Sequence, residues 1–586
     1  MLKALVALIP SVGLVLLLAC GGSAEPTVAA PVATSAPAAT KIQLKPTKAI
    51  EATTAPAKPA SSSGILQGVT LAKIDIKDAI IEDGGPMKGT LTIAQHFGLS
   101  PKWVDPQDHI EALTMQHYDF LIHDAMFKNM PQGLMTYSLA EHAEVAADWT
   151  KAGFRLRPGL KFHDGSPLTT EDVAYTYKNY RGVQAKYFHD ILDDSRADGG
   201  IEVVDDLTII YHFNRTVLDF LYSYNGAGTG IGWIVPSDYY EKVGPEGFKK
   251  APIGAGPFKF ISQDPGATME FDAWGDYWRR KPGVAHITVR GIRDGSARLA
   301  GLKTGELDLA YGVSTAALLP QVVDDPNLRW DPNFTYPWLL FFPNWEDPAS
   351  PFNKKEVRQA VSLAINRRFA VETETMGIGI PSGDWTAPIY PDSVELPVPE
   401  YNPEKAKQLL ADAGYPDGFE IDGLVPFVPY FSQGERYLAD LAEIGIRGKL
   451  VTMEGPSYRA ARGKGRDGYE GNSTILHSIS GVPGVATHTI RIFATCDSPS
   501  SFICTPEIEE LWKKWQSGAT WEERNAVSAQ LQKIIIENYY AVPIFWNPFV
   551  HAIGPRVLPE GDGFHKYWDT DQAPYPYPWE VWEVKP

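Results

Sequence analysis

Cysteine has the most distinctive chemistry of any residue type in this chain, which contains three of them. Cys496 and Cys504 lie near the carboxyl end and enclose the short segment 497–503. In an oxidising compartment, such a pair predicts a disulfide that closes one loop. A redox or metal-binding pair is the alternative, but the C-x-x-C spacing and the second pair that such sites use are missing. We therefore expect Cys496 and Cys504 to form a structural disulfide.

Motifs for hydrolysis and phosphate chemistry are missing from the sequence. We find no G-x-S-x-G, H-E-x-x-H or G-x-x-x-x-G-K-[ST] segment. The glycine-rich segment 226–232 lacks the spacing of a nucleotide-binding loop, and the spacing of His117 and His123 does not place both on one helical face. We therefore expect no metal, no cofactor and no enzymatic activity. A nucleophile and its base can be distant in sequence and still meet in the fold, so a surface hydrolase remains the less favoured alternative.

The amino-terminal segment has the features of an export signal. Lys3 precedes an apolar run over residues 4–19, which contains Pro10 and is shorter than the ~20 residues of a membrane-spanning helix. Cys20 follows at the expected cleavage point, and the segment resembles the lipobox of bacterial lipoproteins, which implies a diacylglycerol on this thiol. A plain signal peptide with a chance cysteine is the alternative. Residues 20–64 are rich in Ala, Pro, Thr and Ser and cannot bury a core, so we expect a tether.

The overall charge limits the partners of the chain. There are 71 acidic and 53 basic side chains, and the formal net charge is −18. This charge repels phosphate backbones, so we do not expect nucleic acid as a partner. About 500 residues follow the tether, which is enough for two or three substructures.

Strand signals recur along the folded part without a regular βαβ rhythm. Alternating segments predict strands at 89–94 and 208–213 and a glycine-rich entry into another strand at 254–261. Residues 153–163 predict a strand, a Pro-Gly turn and a second strand. We interpret the dipeptide 163–164, a histidine and an aspartate, as structural parts of a tight turn.

Helix signals are mixed with these strand signals. Thr169 and Asp172 form a capping-box pattern, and Asn402 and Thr520 are further N-cap residues. Apolar residues at helical spacing predict one amphipathic helix over 357–368. The chain is therefore of the α/β or α+β class with several layers.

Four ordered segments resemble one known family. Residues 154–173 closely resemble the signature stretch of family 5 extracellular solute-binding proteins, the oligopeptide, dipeptide and nickel group of ABC importers. The stretch reads Phe-Arg-Leu-Arg-Pro-Gly-Leu-Lys-Phe-His-Asp-Gly-Ser-Pro-Leu-Thr-Thr-Glu-Asp-Val. Residues 254–260 with Tyr277-Trp278, then 294–308, then 357–368 match in the same order. The resemblance covers residues 89 to about 555, nearly all of the folded part.

The resemblance implies an α/β fold of the two-lobed, periplasmic-binding-protein-like kind (type II). Mixed sheets are flanked by helices, lobe one is discontinuous and carries an extra subdomain, and the lobes close on a ligand by hinge motion. The expected organisation is a signal peptide at 1–19, a tether at 20–64, lobe one at 65–130, 253–333 and 546–586, its inserted subdomain at 131–252, and lobe two at 334–545.

The resemblance also implies the function and the partners. The chain is expected to capture a peptide or peptide-like solute in the cleft between the lobes and to deliver it to the permease subunits of an ABC importer. It would act as a monomer outside the cytoplasm, in the periplasm or at the cell surface, held to the membrane by the lipid on Cys20. A sensor or chaperone-like lipoprotein without a transporter is a further hypothesis.

One departure from the family bears on the ligand. Peptide-binding members carry an aspartate for the α-amino group of the ligand at a place that falls here between Gly471 and Asp497, where this sequence has no acidic residue. A buried ammonium without a carboxylate partner is costly. The departure therefore favours a neutral or glycosidic solute, unless Asp384 or another acid substitutes. His477 and Ser480 are the hydrogen-bonding candidates in this segment, with ordinary loop structure as the alternative.

Aromatic residues in segments rich in Gly, Pro or Asn are further candidates, because a large ring is harder to bury completely there. Trp385 is the first choice, since the matching segment borders the cleft in the family. Core or inter-domain packing is the alternative for each. The predicted ligand-binding residues from these segments are Trp385, Tyr336, Trp338, Asn344, Trp233 and Trp546.

Overall fold

The computed structural model describes most of the chain after the predicted tether. No helix in this part is both long and apolar enough to span a membrane. The predicted signal peptide, the tether up to residue 63 and Ser480 lie outside the described residues. The described ranges are 64–78, 84–96, 98–107, 116–130, 133–182, 185–223, 232–386, 392–428, 430–478, 486–558 and 578–585.

Strands and helices alternate along the described part. The strands are β1 Lys77–Asp78, β2 Thr90–Gln95, β3 Phe127–Met130, β4 Gly133–Tyr137, β5 Ala140–Val145, β6 Lys151–Leu156, β7 Ile201–Asp205, β8 Thr208–His212, β9 Phe258–Asp264, β10 Thr268–Ala273, β11 His286–Gly291, β12 Leu309–Ala310, β13 Arg329–Phe341, β14 Ile380–Pro381, β15 Phe419–Glu420, β16 Leu424–Val425, β17 Ile446–Arg447, β18 Thr474–Ser478, β19 Ala541–Ile553, β20 Val557–Leu558 and β21 Glu583–Val584. The α-helices are Gln116–Ile122, Thr170–Lys178, Ala185–Ile191, Phe220–Ser223, Ser237–Phe248, Gly295–Thr304, Leu319–Val323, Lys355–Ala364, Arg367–Thr375, Pro403–Asp412, Phe431–Glu443, Gly455–Gly463, Ala486–Ala494, Pro506–Ser517 and Trp521–Glu537. Short 3-10 helices span Pro101–Val104, Pro351–Asn353, Gly465–Gly468 and Trp579–Val581.

One large mixed sheet runs through this part of the chain. Its order is β16-β18-β13-β19-β12-β2-β11-β10-β9, and β14 pairs with β19. β2 is parallel to β11 and β12, whereas β19 is antiparallel to both β12 and β13. A separate antiparallel sheet has the order β5-β6-β8-β7. Mixed sheets with helices agree with the predicted α/β class.

The two longest described strands, β13 and β19, pair along their whole length. Arg329 lies opposite Ile553 at one end, and Phe341 lies opposite Ala541 at the other. The first end borders β12 and the second borders β18. The register shifts twice within 333–339, and such irregularities bend a strand and increase its twist. This β13–β19 pair therefore links two parts of the sheet through a bend.

Separate apolar cores form at the two ends of the pair. Lobe one packs around β2 and β11 and includes Ile93, Ile287 and Trp579. Lobe two contains the buried apolar residues of 338–545. A third core surrounds the separate sheet and draws on residues 126–255. The boundaries predicted at 333/334 and 545/546 lie within the β13–β19 pair and stay predictions.

Most of the predicted helix starts are confirmed by their caps. Thr169 and Asp172 make both hydrogen bonds of a capping box. The side chains of Asn402 and Thr520 accept hydrogen bonds from the backbone N–H groups three residues ahead. These contacts are local, which explains why the sequence reveals them.

The single helix predicted over 357–368 is wrong, because the chain forms two helices there. The first helix ends at Ala364, and Ile365 has extended backbone angles. Asn366 then caps the second helix by accepting a hydrogen bond from the Phe369 N–H. The buried Arg367 guanidinium donates to the Pro543 carbonyl of β19 at 2.9 Å, which fixes the break against the central pair. The second strand predicted after the Pro-Gly turn is also wrong, since only an isolated bridge forms there.

A buried ionic network joins lobe one to the third core. The Asp124 carboxylate accepts hydrogen bonds from the Ser138 hydroxyl, the Tyr277 hydroxyl and the Trp278 indole N–H, and it pairs with Lys128 at 2.7 Å. All these donors surround one carboxylate. Its pKa is lowered although burial alone would raise it, because the nearby cations outweigh the burial.

His163 holds the third core to the start of β9. Its Nε2 lies 2.9 Å from the Gly256 carbonyl oxygen, and the Gly254 N–H donates to Nδ1 at 3.3 Å. A ring that accepts at Nδ1 and donates at Nε2 is neutral. Burial lowers the pKa of His163 to about 3. In the same turn, Asp164 accepts from both the N–H and the hydroxyl of Ser166, so the predicted structural roles are confirmed.

We predict that acid destabilises the chain through His163. The ring has a pKa of about 3 when folded and an ordinary value of 6.5, so the unfolded chain takes up the proton first. The contribution of His163 to stability is complete above pH 6.5. It is lost as the pH falls toward 3, at roughly 1.4 kcal/mol for each pH unit. Urea unfolding near neutral pH and in mild acid should show a smaller decline in His163→Gln than in the parent chain.

His142→Gln is the matched control, because the His142 side chain is 54% exposed and lies on β5 next to the same core. This variant should keep the full acid-dependent decline. Equal declines in the parent chain and in His163→Gln would contradict the assignment.

Candidate functional site

The carboxyl ends of β2 and β12 meet beside the β13–β19 pair. The two strands are parallel, with Leu309 opposite Ile93, so Gln95, His96 and Tyr311 all leave the sheet at one edge. In open α/β sheets, ligands bind outside the carboxyl ends of strands. The buried Gln95 amide has no hydrogen-bond partner within the described part of the chain. This edge is therefore the lobe-one side of the candidate site.

Arg298 places a buried cation at this edge. Its guanidinium donates to the carbonyls of Ile292 at 2.6 Å, Arg293 at 2.9 Å and Gly312 at 2.9 Å. Burial lowers the pKa of Arg298 to about 10. Burial first, and then the Arg298 charge, lower the pKa of the neighbouring His96. The edge therefore combines a neutral imidazole with a guanidinium held by carbonyl groups.

Lobe two faces this edge with aromatic side chains. The Trp338 ring centroid lies 5.5 Å from Phe427 and 5.0 Å from Tyr430. His477 lies 5.4 Å from Phe427, and its Nδ1 is 2.7 Å from the Tyr458 hydroxyl. Burial lowers the pKa of His477, so the ring is neutral. We call these five side chains the aromatic wall.

Tyr430 connects the aromatic wall to lobe one. Its hydroxyl is hydrogen-bonded to Ser314, which follows β12, and to Asn547 of β19. The Ser314 hydroxyl in turn accepts from the Val550 N–H at 2.6 Å. Burial raises the pKa of Tyr430 to about 12. The two lobes therefore meet through Tyr430, and the candidate site is the cleft between them.

Two of the predicted ligand residues belong to this site. Trp338 lies on β13 opposite Ser478, and His477 lies on β18 opposite Leu339; the side chains of Trp338 and His477 both join the aromatic wall. The buried Trp338 indole N–H has no hydrogen-bond partner within the described residues. Tyr336 lies opposite Asn547 at the bend of the pair, and its side chain is outside the described part. The ligand roles of all three stay predictions.

Three other predicted residues lie away from the cleft. Trp385 is fully buried in lobe two, where its Nε1 donates to the Thr489 hydroxyl at 2.8 Å. Trp233 is buried in lobe one with its ring 4.7 Å from Phe120. Asn344 follows the far end of β13, and its amide donates to the carbonyl of Gly471 at 2.6 Å. The hydrogen bonds of Trp385 and Asn344 within lobe two favour the packing alternative for both. The buried Trp233 ring is packed in the core of lobe one, although its indole N–H has no partner within the described residues.

Trp546 lies on the β13–β19 pair itself. It packs against Phe334 and Ile380. The next residue, Asn547, contacts Tyr430. Because successive side chains of a strand point to opposite faces, Trp546 lies on the face of the pair away from Tyr430.

Sequence reasoning did not select His96, Arg298 or Tyr430. A signal existed for His96, since it directly follows a predicted strand at an end where ligands commonly bind. Arg298 lies inside a matching segment but carries no local pattern of its own. Tyr430 follows a two-residue strand, which is too short to be recognised from alternation.

The predicted cysteine pair has a structural role. Cys496 and Cys504 are joined by a disulfide with their Cα atoms 4.7 Å apart. Among the described residues, one group of potential metal ligands comes together, formed by Asp198, Glu202 and His212. Arg196 pairs with both carboxylates of this group, so a cation already neutralises it.

One mixed sheet continues through two lobes, and polar groups lie together at the junction of the lobes. This arrangement is typical of a binding protein whose lobes close around a ligand. The chain matches the sequence model of "Bacterial extracellular solute-binding proteins, family 5 Middle" over residues 135–467. The chain belongs to this family. It is a solute-binding protein that acts outside the cytoplasm, and it is not an enzyme.

Two curated relatives illustrate the family. The chain is 27% identical to the heme-binding protein A of Haemophilus influenzae over 512 residues, which cover 79% of this chain and 87% of the relative. It is 29% identical to the oligopeptide-binding protein AppA of Bacillus subtilis over 350 residues, which cover 54% of this chain and 61% of the relative.

A solved structure shows the same fold. The ABC transporter substrate-binding protein CtaP of Listeria monocytogenes superposes with a TM-score of 0.71 at 20% sequence identity. The match covers 86% of this chain and all of the other. The two-lobed, periplasmic-binding-protein-like fold expected from the sequence is thereby confirmed.

We predict that Tyr430→Phe loosens the contact between the lobes. The variant loses the hydroxyl that is bonded to Ser314 and Asn547 but keeps the ring in the aromatic wall. Because buried hydrogen bonds are worth roughly 1 kcal/mol each, we expect a modest loss of stability and a larger radius of gyration in small-angle X-ray scattering of the ligand-free chain.

Tyr401→Phe is the control, because the Tyr401 ring is 43% exposed and its hydroxyl contacts Glu443 within lobe two. Its scattering should match that of the parent. An unchanged radius of gyration in Tyr430→Phe would show that the hydroxyl does not hold the lobes together.

Proposed function

We propose that this chain captures a small solute in the cleft between its lobes and delivers it to the permease subunits of an ABC importer. The observation that carries the proposal is the junction at Tyr430, where the carboxyl ends of strands from both lobes come together beside the bend of the β13–β19 pair. Membership of the solute-binding family supports the same function.

Closure of the cleft accounts for binding without covalent chemistry. When two lobes close on a solute, the polar contacts inside are removed from water, so each satisfied hydrogen bond counts for more and each unsatisfied group costs more. A micromolar ligand corresponds to about −8 kcal/mol, which a few hydrogen bonds and aromatic contacts can supply. The aromatic wall and the polar edge of lobe one offer both kinds of contact.

The class of solute is the open part of the proposal. The named relatives bind heme and oligopeptides, and a peptide-like solute is the first expectation. Asp384 is one acid that could replace the missing aspartate. Its carboxylate accepts from the Leu396 N–H at 2.6 Å and from the Ser382 hydroxyl, and it is buried beside Trp385. Because these hydrogen bonds already occupy the Asp384 carboxylate, they support a solute without a free amino terminus.

We also propose that a lipid on Cys20 holds the chain at the membrane, with residues 20–64 as the tether, and that the chain works as a monomer. The basis is the sequence around Cys20 and its resemblance to a lipobox. The net charge of −18 supports a function without nucleic acid.

We predict that Trp338→Phe weakens solute binding while leaving the fold intact. The phenyl ring still packs against Phe427 and Tyr430, but the buried indole N–H that has no partner in the described part of the chain is lost. Loss of one hydrogen bond to the solute would weaken binding by up to about tenfold. Calorimetric titration of parent and variant with heme and with a set of short peptides would measure the change.

Trp385→Phe is the matched control, since its indole N–H already bonds Thr489 inside lobe two. It should lower the unfolding temperature and leave affinity unchanged. The opposite result, with affinity lost only in Trp385→Phe, would restore Trp385 as the ligand residue and remove Trp338.

We predict that Cys20→Ser releases the protein from the membrane. A serine at this position cannot form the thioether of a lipoprotein, so the exported chain should move from the membrane fraction to the soluble fraction of the cell envelope. Solute binding in vitro should not change. Continued membrane association of the variant would contradict the anchor.

Loss of solute uptake in a strain that lacks the chain would separate a transport receptor from a sensor.

A further inference from the structure

Arg462 is a cation of lobe two that has no anionic partner among the described residues. It lies on the helix Gly455–Gly463, and its guanidinium carbon is 4.6 Å from the centroid of the Phe493 ring. Within the described residues, no carboxylate pairs with Arg462, and its hydrogen-bond donors have no acceptor. The electrostatic neighbours of the guanidinium are the phenol groups of Tyr458 and Tyr469. The cation is therefore enclosed by aromatic rings and not by acids.

Two polar groups lie next to this cation. His477, 95% buried, shares a 2.7 Å hydrogen bond with the Tyr458 hydroxyl, and its pKa is lowered by burial and then by the Arg462 charge. The Tyr469 hydroxyl is buried, and no described residue bonds to it. Tyr469 as a whole is 6% exposed. The half-buried Arg462 guanidinium and the buried, unbonded Tyr469 hydroxyl therefore lie next to each other.

The region around Arg462 adjoins the cleft between the lobes. His477 and Tyr458 belong to the aromatic wall, and the wall reaches lobe one through Tyr430. Phe493 extends the wall, with its ring centroid 5.5 Å from His477. We call Arg462, Tyr458, Tyr469, His477 and Phe493 the Arg462 pocket. It lies on the lobe-two side of the junction.

Energetics favour an anion in this pocket. A cation removed from water is costly unless an opposite charge and hydrogen-bond acceptors replace the water. The face of Phe493 offers only a weak cation–π attraction in place of an ion pair. The Arg298 guanidinium donates to three carbonyl groups in place of an acid, whereas Arg462 has neither an acid nor an acceptor among the described residues. The planar guanidinium fork matches the two oxygens of a carboxylate.

We propose that the Arg462 pocket is the subsite that takes a carboxylate of the solute, so that the transported solute is an organic anion with an apolar or aromatic body. The assignment rests on the proposed function, because it places the anion inside the cleft. Arg462 pairs with the carboxylate, the Tyr469 hydroxyl donates to it, and the aromatic wall covers the apolar body. On the lobe-one side, Arg298 adds positive potential at the same junction.

The test compares probes that share a ring system and differ in charge. Indole-3-acetate, indole-3-acetamide and tryptamine form one set, and hippurate and its amide form a second set. Each is titrated into the purified chain at up to millimolar concentration by calorimetry. We expect each carboxylate to bind about tenfold or more tightly than its amide, as charge-assisted hydrogen bonds predict, and we expect tryptamine to bind most weakly.

Substitutions in the Arg462 pocket test whether these residues cause the preference for carboxylates. Arg462→Gln should remove the preference for the carboxylate and leave the affinity for the amide unchanged. Arg462→Lys keeps the charge and should retain part of the preference. Tyr469→Phe is the variant least able to disturb the fold, and it should weaken binding of the carboxylates alone. Arg447→Gln is the matched control, because it removes an exposed arginine from the same lobe and should change nothing.

The outcomes separate the two proposals. If amides or the amine bind as well as the carboxylates, or if Arg462→Gln and Tyr469→Phe keep the preference, the anion subsite is wrong while solute capture stands. If the probe carboxylates fail to bind but peptides or heme bind, Arg462→Gln decides, because both of these ligands also carry carboxylates: unchanged binding in the variant would show that the subsite is wrong while capture stands, and weakened binding would support it. If no probe of any charge, no peptide and no heme binds the parent chain, both proposals fall.

Discussion

The antiparallel pairing of β13 with β19 is the interaction on which the other features depend. These two strands belong to both lobes, because one end of the pair borders β12 and the other borders β18. Their register places Arg329 opposite Ile553 in lobe one and Phe341 opposite Ala541 in lobe two. A shift of one residue would turn every side chain of a strand to the opposite face, so both cores and the cleft between them require this register.

The location of the cleft follows from the pair. Parallel strands β2 and β12 end beside it in lobe one, and β16 and β18 end beside it in lobe two. The residues that follow these ends leave the sheet, so their side chains can face a ligand or the other lobe. The bend between 333 and 339 lies at the same level. The β13–β19 pair therefore both connects the two lobes and lies at the base of the candidate site.

The local features of this fold were predictable because their contacts are local. A capping side chain bonds a backbone group three residues away, so Thr169, Asn402 and Thr520 mark their helices in any environment. The helix break at Ile365 was missed because the apolar periodicity continues through it, although the Asn366 cap is a local signal of the same kind. The contact of Arg367 with the Pro543 carbonyl, which joins residues far apart in sequence, holds the second helix against β19.

The sequence by itself determined the family, the α/β class and the cysteine pair, since each depends on ordered motifs or on residues close together in the chain. Only the tertiary structure decided which aromatic and cationic groups meet. Trp338 and Trp385 were both candidate ligand residues, yet one joins the aromatic wall and the other bonds Thr489 inside lobe two. The junction assembles residues from near positions 96, 298, 430 and 477, and their proximity follows from strand order and register, which are long-range properties that no local pattern encodes.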